Sequence, residues 1–190
     1  MKTIVNYQSS IILLLLITMA CSNEANFQKK DVNYFDNGQI QKEKLQKDRI
    51  IDGYPCTAWV HFYKNGQLHQ FELSKAFQIA GIQFPQNTIV FLNEQGELDQ
   101  VYLSMNMSIQ NYQCSGGNKK TATGFYPSGK LRFFFPHDNV MIGEILCKGG
   151  IMSGVWLYES GRLQKAYLAK EFKYKNKEYK KGDLIELEDQ

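Results

Sequence analysis

The stretch VHFYKNGQL at residues 60–68 recurs in varied form four more times, as VNYFDNGQI (32–40), VFLNEQGEL (90–98), TGFYPSGKL (123–131) and VWLYESGRL (155–163). Nothing else in the chain restricts its fold so strongly. An apolar run, a short polar turn with glycine where φ must be positive, and a second run opening on Ile or Leu specify a β-hairpin. Aligned on the turn glycines Gly38, Gly66, Gly96, Gly129 and Gly161, the units are spaced by 28, 30, 33 and 32 residues. Periods in this range belong to repeat arrays.

Columns run the whole length of the alignment. Six before the glycine stand Val32, Val60, Val90, Thr123 and Val155; four before it, Tyr34, Phe62, Leu92, Phe125 and Leu157. Two after it come Ile40, Leu68, Leu98, Leu131 and Leu163, and seven after it Leu45, Leu73, Leu103, Pro136 and Leu168. A three-residue turn closed by a left-handed glycine pairs position −4 with +2 and turns both toward a core. Apolar residues at +5 (Phe71, Val101, Phe134, Ala166) are out of phase with +2, which predicts a bulge between them. The columns at +13 (Ile51, Ile79, Ile109, Ile142, Tyr174) and +18 (Cys56, Phe84, Cys114, Cys147, Tyr179) predict a third short strand or an extended edge. One unit buries too few side chains to offset the conformational entropy of its own residues. The expectation is therefore an all-β fold, an elongated array of five tandem β-hairpin repeats sharing one core, as a single continuous sheet or an open solenoid. The repeats begin near residues 32, 60, 90, 123 and 155 of a domain spanning 32–190.

The tandem pattern [Val]-x-[Phe/Tyr/Leu]-x-x-[Asn/Ser]-Gly-x-[Leu/Ile] resembles the MORN-repeat variants of bacteria, some of which are antitoxin-like. Each unit here is longer, and its tail from +8 onward has no counterpart in that pattern. The resemblance implies a hairpin array used as an interaction or spacer surface, with no cofactor and no catalytic residues. A toxin-neutralising or immunity-type partner is the alternative it suggests.

Residues 1–20 carry one lysine, Lys2, then an apolar core at 11–17 and the ending Thr18-Met19-Ala20-Cys21. That core is too short to span a bilayer and suits a signal peptide. Ala20-Cys21 resembles the lipobox of bacterial lipoproteins, although Thr18 stands where Leu is usual. The resemblance implies that Cys21 is lipidated and becomes the N-terminus, with residues 21–31 as a tether. Ser22 after it implies sorting to the outer membrane of the cell envelope. The expected partners are the membrane, through the acyl chains, and a protein, with the chain itself a monomer.

The formal charge of +3 is too small to imply a nucleic-acid partner. Three histidines, His61, His69 and His137, lack neighbours at metal-ligand spacing, and no nucleophile motif occurs. Residues 115–121 (SGGNKKT) have a phosphate loop's composition without its G-x-x-x-x-G-K-[S/T] spacing. The chain is thus not expected to be an enzyme or to hold a metal or cofactor. Connectors at 57–59, 85–89, 115–122 and 148–154 vary in length, as loops along one edge of an array do.

Position −3 holds Phe35, Tyr63, Asn93, Tyr126 and Tyr158. Its four aromatics form a candidate binding stripe, or else pack under a neighbouring segment. Lysines interleaved with aromatics at 170–181 cap the last sheet edge, or else meet anionic lipid. Cys56, Cys114 and Cys147 share the +18 column with Phe84 and Tyr179, so the position is suited to burial and no disulfide is expected.

Overall fold

A computed structural model describes residues 31–189, so Cys21, the signal segment and all but the end of the tether lie outside the described residues. From Val32 onward, every element among the described residues is a β-strand. Strands β1 (Val32–Tyr34) and β2 (Ile40–Lys44) form the first glycine hairpin, and β3 (Arg49–Ile51) then turns back onto the start of a long strand, β4 (Tyr54–Phe62). The second glycine hairpin joins β4 to β5 (Leu68–Leu73), and after it β6 (Phe77–Ile79) and β7 (Ile82–Phe84) pair with each other off the main sheet. The alternation continues with β8 (Ile89–Leu92), β9 (Leu98–Tyr102), β10 (Met107–Ile109) and β11 (Tyr112–Cys114). Next come β12 (Thr123–Phe125), β13 (Leu131–Phe134), β14 (Val140–Ile142) and β15 (Ile145–Cys147). The chain closes with β16 (Val155–Leu157), β17 (Leu163–Tyr167), β18 (Phe172–Tyr174), β19 (Lys177–Tyr179) and β20 (Leu184–Glu186).

The glycine hairpins lie side by side in one open antiparallel sheet of twelve strands, ordered β1-β2-β4-β5-β8-β9-β12-β13-β16-β17-β20 with β3 added beside β4. The turn chemistry sets its register. Gly38, Gly66, Gly96, Gly129 and Gly161 have φ of +83°, +88°, +79°, +79° and +86°, the left-handed region that costs glycine least. In the second hairpin Tyr63 N donates to Gln67 O at 2.8 Å and Gly66 N to Tyr63 O at 2.9 Å, and the other four turns repeat both bonds. Position −4 then pairs with +2, as Phe62 with Leu68 and Phe125 with Leu131. Position −5 pairs with +4, leaving +3 as an inserted bulge residue. That bulge is why the +2 and +5 residues share a face.

The tail of each unit is more than an edge. Segments β6–β7, β10–β11, β14–β15 and β18–β19 are complete hairpins, each turning through two residues. Ala80-Gly81, Gln110-Asn111 and Lys175-Asn176 place both turn residues at positive φ, and Asp52-Gly53 does so in the β3–β4 turn. These are type I′ turns, whose twist matches that of the strands. Gly143 alone is positive in the fourth turn, the type II′ pattern.

These short hairpins cover one face of the sheet, and the core lies between the two layers. Sheet residues Val60, Phe71, Val90, Val101, Phe134, Val155 and Ala166 are fully buried there, with Phe84, Cys114 and Cys147 from the covering layer. Tyr54 packs on Phe71 at 4.9 Å between ring centroids, and Tyr112 stacks on Phe134 at 5.0 Å, so β3–β4 and β10–β11 pack on the glycine hairpins that follow them. Backbone bonds make the same link: Ser74 N to Pro55 O, His137 N to Gln113 O and Ala169 N to Leu146 O. Pro136 fits the +7 column because its carbonyl still accepts from Gly150 N; the donor lost is the one that Leu45, Leu73 and Leu168 direct to the next connector. Residues 57–59, expected as a connector loop, are instead part of β4, whose ladder is interrupted around Ala58 at φ +56°.

Gly96 isolates the cost of the turn conformation, since a Cβ there would meet nothing within 4 Å. Gly96→Ala is expected to lower stability in chemical denaturation by about 1–2 kcal/mol, the left-handed penalty for an L-residue. Gly96→Asn should lose less.

Candidate functional site

Because side chains alternate along a strand, the register that buries positions −6, +2 and +5 turns −5, +4, −7 and +6 to the opposite face. No short hairpin covers that face. One lateral row can be followed across it from pair to pair: Lys42, His61, Gln70, Phe91, Gln100, Gly124, Phe133, Trp156, Lys165, Glu186. A second row beside it contains Trp59, Ile89, Tyr102, Phe135, Tyr167 and Leu184. The apolar members are half-buried or exposed, Trp59 being 36% and Tyr167 38% accessible. Both tryptophans of the chain stand on this face.

Its rings form small clusters. Phe91 meets Tyr102 at 5.7 Å, Phe133 stacks near Trp156 at 6.4 Å, and Phe135 meets Trp156 edge-on at 6.5 Å. Two glycines make room. A Cβ on Gly124 would collide with the Phe133 ring and one on Gly154 with the six-membered ring of Trp156, so both rings lean over bare backbone. Two ion pairs lie on the face, Arg132 with Asp99 at 2.8 Å and Lys165 with Glu186 at 2.6 Å, while Lys42 lies over the Trp59 ring. Toward β4 the face dips into a shallow depression of about 290 Å³, lined by Lys42, Trp59, His61, Gln70, Glu72 and Lys119.

His61 and His69 both sit on this side. Burial holds the His61 imidazole below its ordinary range, with Lys42 and His69 adding repulsion. Burial also lowers His69, partly offset by Asp99, while its ring packs tilted against Tyr63 at 4.3 Å. Both are therefore neutral near pH 7. Among the described residues, no three His, Cys, Asp or Glu side chains come together as a metal could use them. In the 115–122 connector Asn118 Oδ1 accepts from the Lys120 and Thr121 amides and from the Thr121 hydroxyl, while the Ser115, Gly116 and Gly117 amides donate to Phe135 O, Asn106 Oδ1 and Leu103 O.

The −3 column has a definite place. Tyr63, Tyr126 and Tyr158 are half-buried, and their hydroxyls donate to the carbonyls of Leu92, Leu157 and Leu187 at 2.8, 2.8 and 2.6 Å. Each tyrosine ties its turn to the −4 residue of the next hairpin, and Leu187, just past β20, takes that position at the end of the sheet. Phe35 is half-buried without a hydroxyl to donate, and Asn93 uses its amide within its own turn. The +18 thiols Cys56, Cys114 and Cys147 are free and buried, and desolvation pushes them up to about 11, 12 and 12. Lys175 and Lys177 lie over Tyr174 and Tyr179 on β18–β19, where the lysines of the 170–181 run are exposed.

Sequence reading singled out the core columns, and the open-face rows were missed. Column −5 reads Asn33, His61, Phe91, Gly124 and Trp156, without a shared residue type. The available signal was positional, since it lies one residue from a core column on a strand. No family model, characterised protein or solved structure matches this chain.

Two outcomes follow. Tyr126→Phe should cost about 1 kcal/mol in denaturation, the worth of one hydrogen bond, while Asn93→Tyr should raise stability by supplying the missing tie. In a Cys21→Ser background the three remaining thiols should resist a thiol-disulfide reagent at pH 8 in the native state and react fully once unfolded, because so little thiolate exists.

Proposed function

We propose that this chain is a non-enzymatic interaction module of the bacterial envelope, a MORN-like array of five hairpin repeats anchored by lipid at Cys21. In this reading residues 1–20 direct export, 21–31 tether the domain, and the outer membrane is its destination. The carrying observation is the asymmetry of the sheet. One face is sealed by the short hairpins, while the other presents aromatic and polar rows that no described element covers. Apolar surface rimmed by polar groups marks interaction sites. The tyrosine ties between neighbouring hairpins support a rigid platform rather than a moving catalytic device. The glycines Gly38, Gly66, Gly96, Gly129 and Gly161 serve it by fixing which residues reach the open face.

Metabolic labelling with a palmitate analogue and membrane fractionation test the anchor. The native chain should carry label and sediment with membranes, and Cys21→Ser should lose both. A photo-crosslinking residue at position 91 on the open face should capture a partner, whereas one at Ile50, exposed on β3, should not. Equal capture from both positions would remove the open face from the account.

A further inference from the structure

Resting on the lipid anchor at Cys21, we propose that the connector edge of the sheet, opposite the glycine turns, lies against an anionic membrane surface with Ile151 and Met152 as its apolar contact. The connectors return to the strand ends marked by the +7 residues: Asn87 N donates to Leu73 O, Gly117 N to Leu103 O, Gly150 N to Pro136 O and Gly182 N to Leu168 O. They therefore stand at the end of the sheet away from the glycines. Three of them close in a similar turn. Ser153 N donates to Gly150 O at 3.0 Å, which puts Ile151 and Met152 at the tip. Asp183 N donates to Lys180 O at 3.1 Å around Lys181 and Gly182, and Thr121 N to Asn118 Oδ1 at 3.1 Å around Lys119 and Lys120. Successive units place two strands each in the sheet, so these tips follow one another at roughly 10 Å. Their order is basic, apolar, basic. Met152 is 84% and Ile151 51% accessible, and the three tip lysines are exposed. Apolar side chains held out between cations suit the boundary of acyl chains and anionic headgroups.

Charge and tether select the same edge. The residues just past +7 belong to it, since Asn106 and Asn139 at +10 accept from the Gly116 and Gly149 amides of the connectors. Lys47, Lys75 and Lys170 at +9 therefore join Lys119, Lys120, Lys148, Lys180 and Lys181 of the connectors, eight lysines against five carboxylates, Asp31, Asp48, Asp138, Glu171 and Asp183. None of the eight pairs with a described carboxylate. The glycine edge reverses the sign, with Asp36, Glu94, Glu97, Glu159, Glu188 and Asp189 against Lys64, Lys130 and Arg162. Near an anionic bilayer this separation draws the connector edge in and turns the glycine edge away. The anchor leaves from the edge that is drawn in: Asp31, just before β1, accepts from Gln46 Nε2 at +8 at 2.9 Å. Cys21 lies ten residues earlier, a reach of about 35 Å at full extension. Acyl chains at the first repeat and basic, apolar-tipped turns at the last ones hold the array along the bilayer, with its open face free for a partner.

The test uses the full chain purified from membranes and reconstituted into vesicles, with an environment-sensitive fluorophore on Met152→Cys or, as control, on Gln95→Cys at the glycine edge. The thiols of Cys56, Cys114 and Cys147 are buried and do not compete for the label. In vesicles of phosphatidylglycerol and phosphatidylethanolamine the probe at 152 should shift to the blue and be quenched by lipids spin-labelled near the headgroup. Added salt should reverse both signals. The probe at 95 should show neither, and vesicles of phosphatidylcholine alone should leave the probe at 152 in water. Lys119→Gln, Lys148→Gln and Lys181→Gln should each lower the docked-to-free ratio about fivefold, with the thermal midpoint retained, and Ile151→Ser should lower it about threefold. A probe at 152 that stays in water on the anionic vesicles, or a signal unchanged when the three lysine changes are combined, would overturn the docking; palmitate label on Cys21 would then leave the anchored reading standing. Absence of that label would end both. A protein in place of lipid crosslinked to position 152 in cells would overturn the proposal in favour of a partner on this edge.

Discussion

The left-handed glycine at each sheet turn is the constraint on which the rest of this structure depends. With φ between +79° and +88° it closes a three-residue turn, pairs −4 with +2, and requires the bulge at +3. Since side chains alternate strictly along a strand, that register decides which residues enter the core and which face outward. A slip of one residue at the third turn would lift Val90 and Val101 out of the core and bury Phe91 and Gln100 in their place. The open face is thus a consequence of turn chemistry as much as of its own residues.

Register alone would leave a sheet with an exposed apolar side. The short hairpins solve this, and they also make the structure cooperative, because β3–β4, β10–β11 and β14–β15 are tied to the glycine hairpins that follow them. Gln110, at the β10–β11 turn, strengthens that link by bonding both Gly129 O and Leu131 N, and one hairpin reaches further, with Phe84 on β7 meeting Phe125 on β12. Stability is therefore shared among near neighbours along the sheet. The first hairpin, with no preceding neighbour among the described residues, leaves Tyr34 61% and Ile40 37% accessible, and fills the +5 position with Glu43, paired to Arg49 at 2.8 Å. At the other end β20 takes the place of a further first strand, with Ile185 buried in the −6 position.

The glycine hairpins, their −4/+2 pairing and the bulge were legible in the sequence because one residue type, glycine, performs one conformational task in all five turns. The covering hairpins were not, although their turns are almost as regular in φ. Asp52-Gly53, Ala80-Gly81, Gln110-Asn111, Gly143-Glu144 and Lys175-Asn176 reach similar shapes through different residues, so no column announces them. The tyrosines at −3 were visible as a column, but the carbonyl each reaches lies about thirty residues away and belongs to backbone, which an alignment of side chains does not reveal. The open face was hidden for a related reason. Its neighbours in space, such as Gly124, Phe133 and Trp156, come from three strands and take on meaning only once the strands are in register.

Backbone pairing measured by nuclear Overhauser effects in solution tests that register most directly. The account predicts contacts across the fourth turn between Gly124 and Phe133, and between Phe133 and Trp156 on the next strand, with Arg132 skipped as the bulge residue. Pairing of Gly124 with Arg132 would contradict it, because Phe133 would then turn toward the core and the open-face rows would not exist.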